Sequence, residues 1–154
     1  MEHYSSFEIS EICTPAKREY SVTEARILIS NNLSHIKYIT NPSESLKRKV
    51  VSKDGLCLQY ITKASEEIKE IAVKQNGLAI LYVFLPSYNL QMLAVKQNPD
   101  SIKHIYRPHA DVQLIAVMIR PSVLKLIDAP TDEAYLEAYK SDKSLECYLP
   151  NRLR

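Results

Sequence analysis

A hexapeptide that recurs almost unchanged is the feature that most limits how this chain can fold. Residues 72–77 read AVKQNG and residues 94–99 read AVKQNP. When the chain is written in 22-residue units starting at Leu28, five full units cover residues 28–137 without an insertion. A period of this length is typical of stacked helical units, each of which buries its apolar face only against its neighbours.

The apolar positions of the unit predict two helices. Positions 9 and 12 are aliphatic in every full unit and lie three apart, so they share one face of a short first helix. Position 15 is proline in four of the five units, which indicates a turn, and position 16 mostly holds residue types that cap helix N-termini. Apolar residues spaced i, i+3 and i+4 then predict a longer second helix.

The recurring hexapeptide is predicted to be the end of this second helix together with its stop signal. Lys and Gln close the helix, Asn or Asp follows, and Gly55 or Gly77 comes next, which we interpret as a cap with glycine in the left-handed conformation. Pro99 and Pro121 replace glycine in the next two units. We therefore predict an all-α fold, a helical-repeat solenoid of 22-residue helix-turn-helix units.

The N-terminal part of the chain departs from the repeat. Residues 1–27 are predicted to form an atypical N-terminal cap. Within it, Ser21 and Glu24 make an S-x-x-E capping box for a helix over residues 22–31. Residues 1–14 match no part of the unit, and we interpret them as a capping segment or a flexible arm.

The C-terminal part and the composition complete the predicted architecture. Residues 138–154 form a partial sixth unit that closes the stack, so that residues 1–154 are one solenoid domain. The three cysteines lie far apart, which favours a reducing compartment over a disulfide framework. No apolar run approaches the ~20 residues that span a membrane. With no targeting signal either, we predict a cytoplasmic protein without a membrane partner.

The most regular part of the repeat resembles a known family. The segments AVKQNGLAILYV and VVSKDGLCLQYI are similar to a family of tandem short α-helical repeats with the signature A-V-x-x-N/D-G-x-A-L-x-Y-A. That family has no known function and is met in viral, phage and bacterial proteins. The match is best over residues 50–99 and weaker over 28–49 and 100–149. The resemblance implies a helical repeat and a viral or phage origin, hence the host cytoplasm, but no catalytic residue.

Side chains with catalytic or metal-binding chemistry have simpler structural explanations. His35 and Cys57 occupy position 8 of adjacent units, but Ala79 and Ser101 continue that position, which leaves too few ligands for zinc. The acidic residues cluster at predicted helix starts, where the helix dipole favours them. We predict a protein that is not an enzyme and that has no cofactor and no metal site.

The third unit becomes apolar at positions that are polar in other units, and this departure predicts a protein-binding site. The predicted contact residues are Leu81, Phe84, Leu85, Tyr88 and Tyr106. A cluster of exposed apolar and aromatic residues is typical of protein interfaces. The partner is either a host protein or a second copy, and cover by residues 1–14 is the structural alternative. Met118 and Ile119 extend this patch or form a second one.

A row of cations gives an alternative function. Lys37, Lys103 and Lys125 share position 10, and Arg107 lies nearby at position 14. Cations at a fixed spacing along a solenoid are able to follow a phosphate backbone. The net charge of +2 is too small to indicate such a partner by itself. We therefore predict a non-enzymatic protein-binding scaffold or adaptor, with a nucleic-acid-binding helical repeat as the alternative.

Overall fold

Each 22-residue unit contains a six-residue 3₁₀ helix and the start of a ten-residue α-helix, which continues into the next unit. The computed structural model describes residues 17–153, apart from the side chain of Arg152. The α-helices are α1 (Val22–Asn31), α2 (Glu44–Lys53), α3 (Glu66–Gln75), α4 (Tyr88–Gln97), α5 (Ala110–Ile119) and α6 (Asp132–Ser141). The 3₁₀ helices are Leu33–Tyr38, Gly55–Tyr60, Gly77–Tyr82, Pro99–His104, Pro121–Leu126, Lys143–Tyr148 and Asn151–Leu153.

Consecutive units pack against one another and form the predicted all-α helical repeat. From α2 onward, each α-helix packs on the next α-helix and on the 3₁₀ helices beside it. The core lies between the layer of α-helices and the layer of 3₁₀ helices, and positions 9 and 12 are buried in every full unit. The two positions do not share a helical face as predicted, because position 12 is the extended residue that follows each 3₁₀ helix. The alanines at position 1, such as Ala94 and Ala116, are fully buried, which lets neighbouring backbones approach closely.

Side-chain caps begin most of the α-helices. Ser21 accepts a hydrogen bond from the backbone N–H of Glu24, and the Glu24 carboxylate accepts one from the N–H of Ser21. The predicted capping box and the predicted helix are therefore confirmed. The serines at position 16 and Thr131 cap α2, α3, α4 and α6 in the same way, whereas His109 makes no side-chain cap. The arm predicted at residues 1–14 lies outside the described residues.

The structure corrects the predicted role of the two glycines. Neither Gly55 nor Gly77 has a positive φ, so neither is a left-handed helix cap. Glycine is needed because a Cβ built on Gly77 would lie 2.6 Å from the carbonyl oxygen of Ala94, and one on Gly55 would clash with the carbonyl of Ala72. The close approach of the next α-helix, and not the local backbone conformation, therefore selects glycine.

The residue before each glycine has two roles that the sequence did not reveal. Asn76 ends α3 and is also the N-cap of the following 3₁₀ helix, where its side chain accepts from the N–H of Leu78. Asn32, Asp54, Asn98 and Asp142 repeat this arrangement. One short polar side chain therefore joins the two helices at their shared junction.

Glutamine and glycine act as a pair between neighbouring units. The Oε1 atom of Gln97 accepts from the N–H of Gly77 at 2.5 Å, and Gln75 makes the same bond to Gly55 at 2.7 Å. Pro99 stands where the earlier units have glycine, and it has no backbone N–H to donate. In the next unit, the position that holds Gln75 and Gln97 in earlier units holds an aliphatic residue instead. This pairing explains the apolar residue at the end of α5, Ile119. Nothing in the structure explains Met118.

Position 14, in the turn between the two helices, takes the left-handed conformation in four units. The residues are Asn41, Lys63, Leu85 and Arg107, with φ between 47° and 53°. Asparagine adopts this conformation readily, but a branched side chain such as leucine is strained there by about 1–2 kcal/mol. Lys63, Leu85 and Arg107 carry this strain alike, so the conformation of the turn does not by itself select leucine at residue 85.

Removing the buried hydroxyl of Ser101 is expected to stabilise the protein. Ser101 is fully buried, and its Oγ has no hydrogen-bond partner among the described residues. We expect Ser101→Ala to raise the free energy of unfolding by about 1 kcal/mol, because a buried polar group without a partner destabilises the folded state. Urea denaturation measures this change. Ala79 occupies the same position one unit earlier, so Ala79→Ser is expected to destabilise the protein, and equal stability of all three proteins would contradict the explanation.

Candidate functional site

A groove of about 440 Å³ opens on the surface between the third and fourth units. Four of the five predicted contact residues line it, namely Leu81, Phe84, Leu85 and Tyr106, together with Tyr82, Val83, Pro86, Gln91 and His104. Phe84 is 89% exposed, Tyr106 is 74% exposed and Leu85 is 70% exposed. Large apolar side chains that remain this exposed in one groove are the kind of anchor that protein interfaces bury.

Tyr88, the fifth predicted residue, is placed differently. It begins α4 and does not line the groove, and its ring meets the imidazole of His109 edge-on, with centroids 5.3 Å apart. The side chain is 40% exposed. Tyr88 therefore contributes to the contact between α4 and α5 as well as to the surface.

Buried glutamines support the wall of the groove. Gln91 is 6% exposed, donates through Nε2 to the carbonyl of Pro86 at 3.0 Å, and accepts at Oε1 from the N–H of His109 at 3.3 Å. Gln113 repeats this arrangement one unit later, toward Pro108 and Thr131. These bonds tie the turn of one unit to the turn of the next. The groove therefore stands on turns that are cross-linked between units.

One face of the stack, which we call the turn face, consists of positions 10, 11, 13 and 14 of the five full units. It contains the groove at its centre, and its charged residues are Lys37, Lys63, Lys103, Arg107, Lys125 and the single acid Asp128. None of the five cations forms an ion pair with another described residue. The carboxylates of Glu44, Glu66 and Glu67, by contrast, pair with cations on α2 and α3. The turn face is therefore basic on both sides of an apolar centre.

The predicted nucleic-acid residues lie on this face, and three of them contact tyrosine rings. The Nζ of Lys37 lies 4.9 Å from the ring centroid of Tyr38 and 5.6 Å from that of Tyr60. Lys125 lies over Tyr148 at 5.2 Å, and Arg107 lies over Tyr106 at 5.3 Å. Lys103 is exposed beside His104. Tyr38, Tyr60 and Tyr148 at position 11, and Tyr106 at position 13, therefore pack against cations at the surface.

His104 replaces the usual tyrosine of position 11 in the wall of the groove. Burial lowers the pKa of its imidazole, and the charge of Lys103 lowers it further. Because the unperturbed pKa of histidine is already about 6.5, this imidazole is neutral at pH 7. The lowered pKa therefore favours an uncharged imidazole in the wall of the groove.

The residues considered for metal binding are not grouped into such a site. Among residues 17–153, no three His, Cys, Asp or Glu side chains lie close enough to hold a metal ion. The Nδ1 of His35 lies 3.2 Å from the carbonyl oxygen of Leu28, and the Sγ of Cys57 lies 3.4 Å from Oδ2 of Asp54. Each side chain therefore has a local partner.

The Cys57 thiol is expected to be unreactive in the folded protein. It is 3% exposed, and burial, followed by the nearby charge of Asp54, raises its pKa to about 12. Because the thiolate is the reactive form, we expect negligible alkylation by iodoacetamide at pH 8. The test uses Cys13→Ser/Cys147→Ser, which leaves only Cys57, and compares labelling in buffer and in urea. Labelling in buffer as fast as in urea would show that the thiol is accessible.

A second cavity, of about 450 Å³, lies between α1 and α2. Tyr20, Val22 and Ala25 line one side, and Ile39 and Leu46 lie on the other. Later α-helices have a buried apolar residue at position 19, such as Ile68 or Leu90. The equivalent residue of α1 is Glu24, whose carboxylate belongs to the capping box. The first α-helix therefore packs less closely than the others, which fits its predicted role as an atypical cap.

Comparison of the chain with protein-family models, curated proteins and solved structures finds no match. No α-helix within residues 17–153 has both the length and the apolar character needed to cross a membrane. The groove and the charges of the turn face are therefore the features that indicate a function.

Proposed function

We propose that this protein is a non-enzymatic scaffold or adaptor that binds a protein partner through the groove of the turn face. The proposal rests mainly on the conformation and exposure of Leu85. This residue holds a left-handed backbone conformation and leaves 70% of its side chain exposed. Lys63 and Arg107 share this backbone conformation but are charged, whereas Leu85 exposes a large apolar side chain of the kind that interfaces bury. Leu85 therefore supports a role in binding, together with Phe84 and Tyr106 beside it.

The proposal also concerns the source of the protein and the compartment in which it acts. On the resemblance of its repeat, the protein is of viral or phage origin and docks on a host protein in the host cytoplasm. Binding is driven by burial of the aromatic and aliphatic anchors, and the cations around the groove select a partner with acidic residues.

Substitution of the groove anchors tests this function. Full-length protein and Phe84→Ala/Tyr106→Ala are used as bait in host lysate, and the retained proteins are identified by mass spectrometry. We expect the double substitution to lose a partner that the unchanged protein retains, while circular dichroism shows the same helix content. Tyr88→Ala, tested separately, measures the contribution of the residue outside the groove.

A matched control removes exposed apolar surface elsewhere. Val22 and Ile27 on α1 are 68% and 63% exposed, so Val22→Ala/Ile27→Ala removes aliphatic side chains that lie outside the groove. The partner is expected to bind this variant normally. Identical sets of retained proteins for all variants would show that the groove binds no protein.

The contacts between cations and tyrosines favour single-stranded nucleic acid as the second candidate. Aromatic rings on a basic face stack with bases while the cations contact phosphates. This candidate predicts binding that weakens steeply with salt and that is lost in Lys37→Glu/Lys125→Glu. A gel-shift assay with a single-stranded oligonucleotide at low salt, in which the unchanged protein causes no shift, would eliminate it.

A further inference from the structure

We propose that residues 1–16 of this chain bind the groove of the turn face, so that a protein partner must displace them. This inference rests on the proposed function, because it assigns an internal competitor to the same groove. Three independent features carry it: the chemistry of residues 1–16, the turn-face cations, which form no ion pair with a described residue, and the point at which the chain enters the described structure.

The chemistry of residues 1–16 complements the groove. The segment reads MEHYSSFEISEICTPA and contains three glutamates but no lysine or arginine. Its large apolar side chains are Tyr4, Phe7, Ile9 and Ile12. Acidic residues interspersed with aromatic and aliphatic ones are what an apolar groove between cations would select in a peptide.

The turn face has charges available for these glutamates. Its five cations form no ion pair among the described residues, and Asp128 lies on the same face. The pKa of Asp142 is lowered mainly by hydrogen bonds from Ser144, and the charge of Lys125 contributes to lowering it. Lys103 and Arg107 belong to the fourth unit, which supplies one wall of the groove, and Lys63 belongs to the second unit, on the other side of the third unit with Phe84. Carboxylates of a bound acidic segment would therefore meet cations on both sides of Phe84.

The segment joins the described structure on the turn face itself. The N–H of Arg18 donates to the carbonyl of Tyr38 at 3.1 Å, and the N–H of Thr40 donates to the carbonyl of Arg18 at 3.0 Å. Residue 18 therefore lies beside the turn of the first unit, two units from the groove. Stacked helices lie about 8–10 Å apart, so the distance is roughly 20 Å.

The length of the segment and its tethering allow binding. Sixteen extended residues reach about 50 Å, which exceeds the distance to the groove with several residues to spare. Tethering gives an effective concentration of roughly millimolar, so even a weak contact is occupied. A partner must compete with this local concentration, and the segment thus sets the threshold for binding.

A single tryptophan in the groove tests the proposal. The chain has no tryptophan, so Phe84→Trp reports on this site alone. We measure quenching of its fluorescence by acrylamide, a neutral quencher, in the full chain with and without Phe7→Ser/Ile9→Ser/Ile12→Ser. Loss of the anchors is expected to raise the quenching constant at least about twofold, because the tethered segment then leaves the groove. A synthetic peptide of residues 1–16, added in excess, is expected to restore protection, whereas a scrambled peptide is not.

Each outcome of this experiment decides the proposal. Equal quenching with and without the three serines would overturn it. Protection that increases with protein concentration, together with a dimer in sedimentation, would assign the groove to a second copy and would also overturn it. Val22→Ser/Ile27→Ser is the control and is expected to leave quenching unchanged. If quenching contradicts the proposal while Phe84→Ala/Tyr106→Ala still loses a host partner, the proposed function stands without internal competition.

Discussion

Gly77→Ala is expected to lower the free energy of unfolding by about 2 kcal/mol, within the usual range for overpacking of a well-packed interior. The added Cβ would lie 2.6 Å from the backbone oxygen of Ala94, and that oxygen cannot move without shifting α4. At a glycine without steric conflict, alanine would instead stabilise the protein slightly by restricting the unfolded chain. The sign of the effect, measured by urea denaturation, therefore distinguishes the two explanations of this glycine.

Two further variants make the glycine experiment specific. Gln97 Oε1 also lies 2.7 Å from the added Cβ, but it belongs to a flexible side chain, so Gly77→Ala/Gln97→Ala should not recover the lost stability. Lys143 occupies the same position of the unit in the last repeat and is exposed. Lys143→Ala is expected to change stability by less than about 1 kcal/mol, since it removes only a surface contact with Tyr139. Gly77→Ala at unchanged or higher stability would contradict the proposed close approach.

Leu85→Asn is expected to stabilise the fold and weaken partner binding at the same time. Asparagine tolerates the left-handed conformation, so the free energy of unfolding should rise by about 1 kcal/mol. Truncation of a groove anchor typically weakens binding by about 2 kcal/mol, or roughly thirtyfold. Opposite changes in stability and affinity are the expected result at a residue retained for function. Denaturation and titration of the partner identified in the capture experiment measure the two quantities.

The first unit supplies the reciprocal control for Leu85. Asn41 has the same backbone conformation, with φ of 52°, but lies outside the groove. Asn41→Leu is expected to destabilise the protein by about 1 kcal/mol and to leave partner binding unchanged. If Leu85→Asn destabilises the protein instead, packing in the turn explains this leucine and the main support for the binding site is lost.

Much of the fold was predictable because the five units of the repeat can be compared with one another. The structure confirms three features that depend on the local sequence pattern: the burial of positions 9 and 12, the serine and threonine caps at position 16, and the capping box of Ser21 and Glu24. The same comparison drew attention to the third unit. Phe84 and Leu85 stand out in the sequence only because most other units have polar residues at the same positions.

Features that depend on contacts between units were predicted wrongly or missed. The pattern Asn-Gly after a helix is locally indistinguishable from a left-handed cap, whereas the actual constraint comes from the α-helix that packs on top of it. The sequence contains one sign of this contact between units. The unit after Gly77 contains Gln97, which accepts a hydrogen bond from it, whereas the equivalent residue in the unit after Pro99 is Ile119. The left-handed turn gave no signal, because position 14 contains no glycine in any unit.

The candidate site was predicted in part for the same reason. Tyr88 was grouped with the groove residues because most other units have an acid at its position in the unit. In the structure its ring packs on His109 and does not line the groove. The separation of charges was missed altogether. Acids and cations alternate along the sequence, yet the acids at the start of α2 and α3 are paired there, while the cations of the turn face remain without ion pairs among the described residues. Only the packing of the units shows this separation.

Residue-specific hydrogen exchange tests the stacking of units most directly. Four backbone N–H groups, those of Gly55, Gly77, His109 and Thr131, donate to a glutamine side chain of a neighbouring helix. If the units stack as described, these amides exchange slowly, which gives one such protected amide in each of the second to fifth units. Fast exchange at all four amides, or protection that does not follow the repeat, would show that the units do not pack on one another in this way.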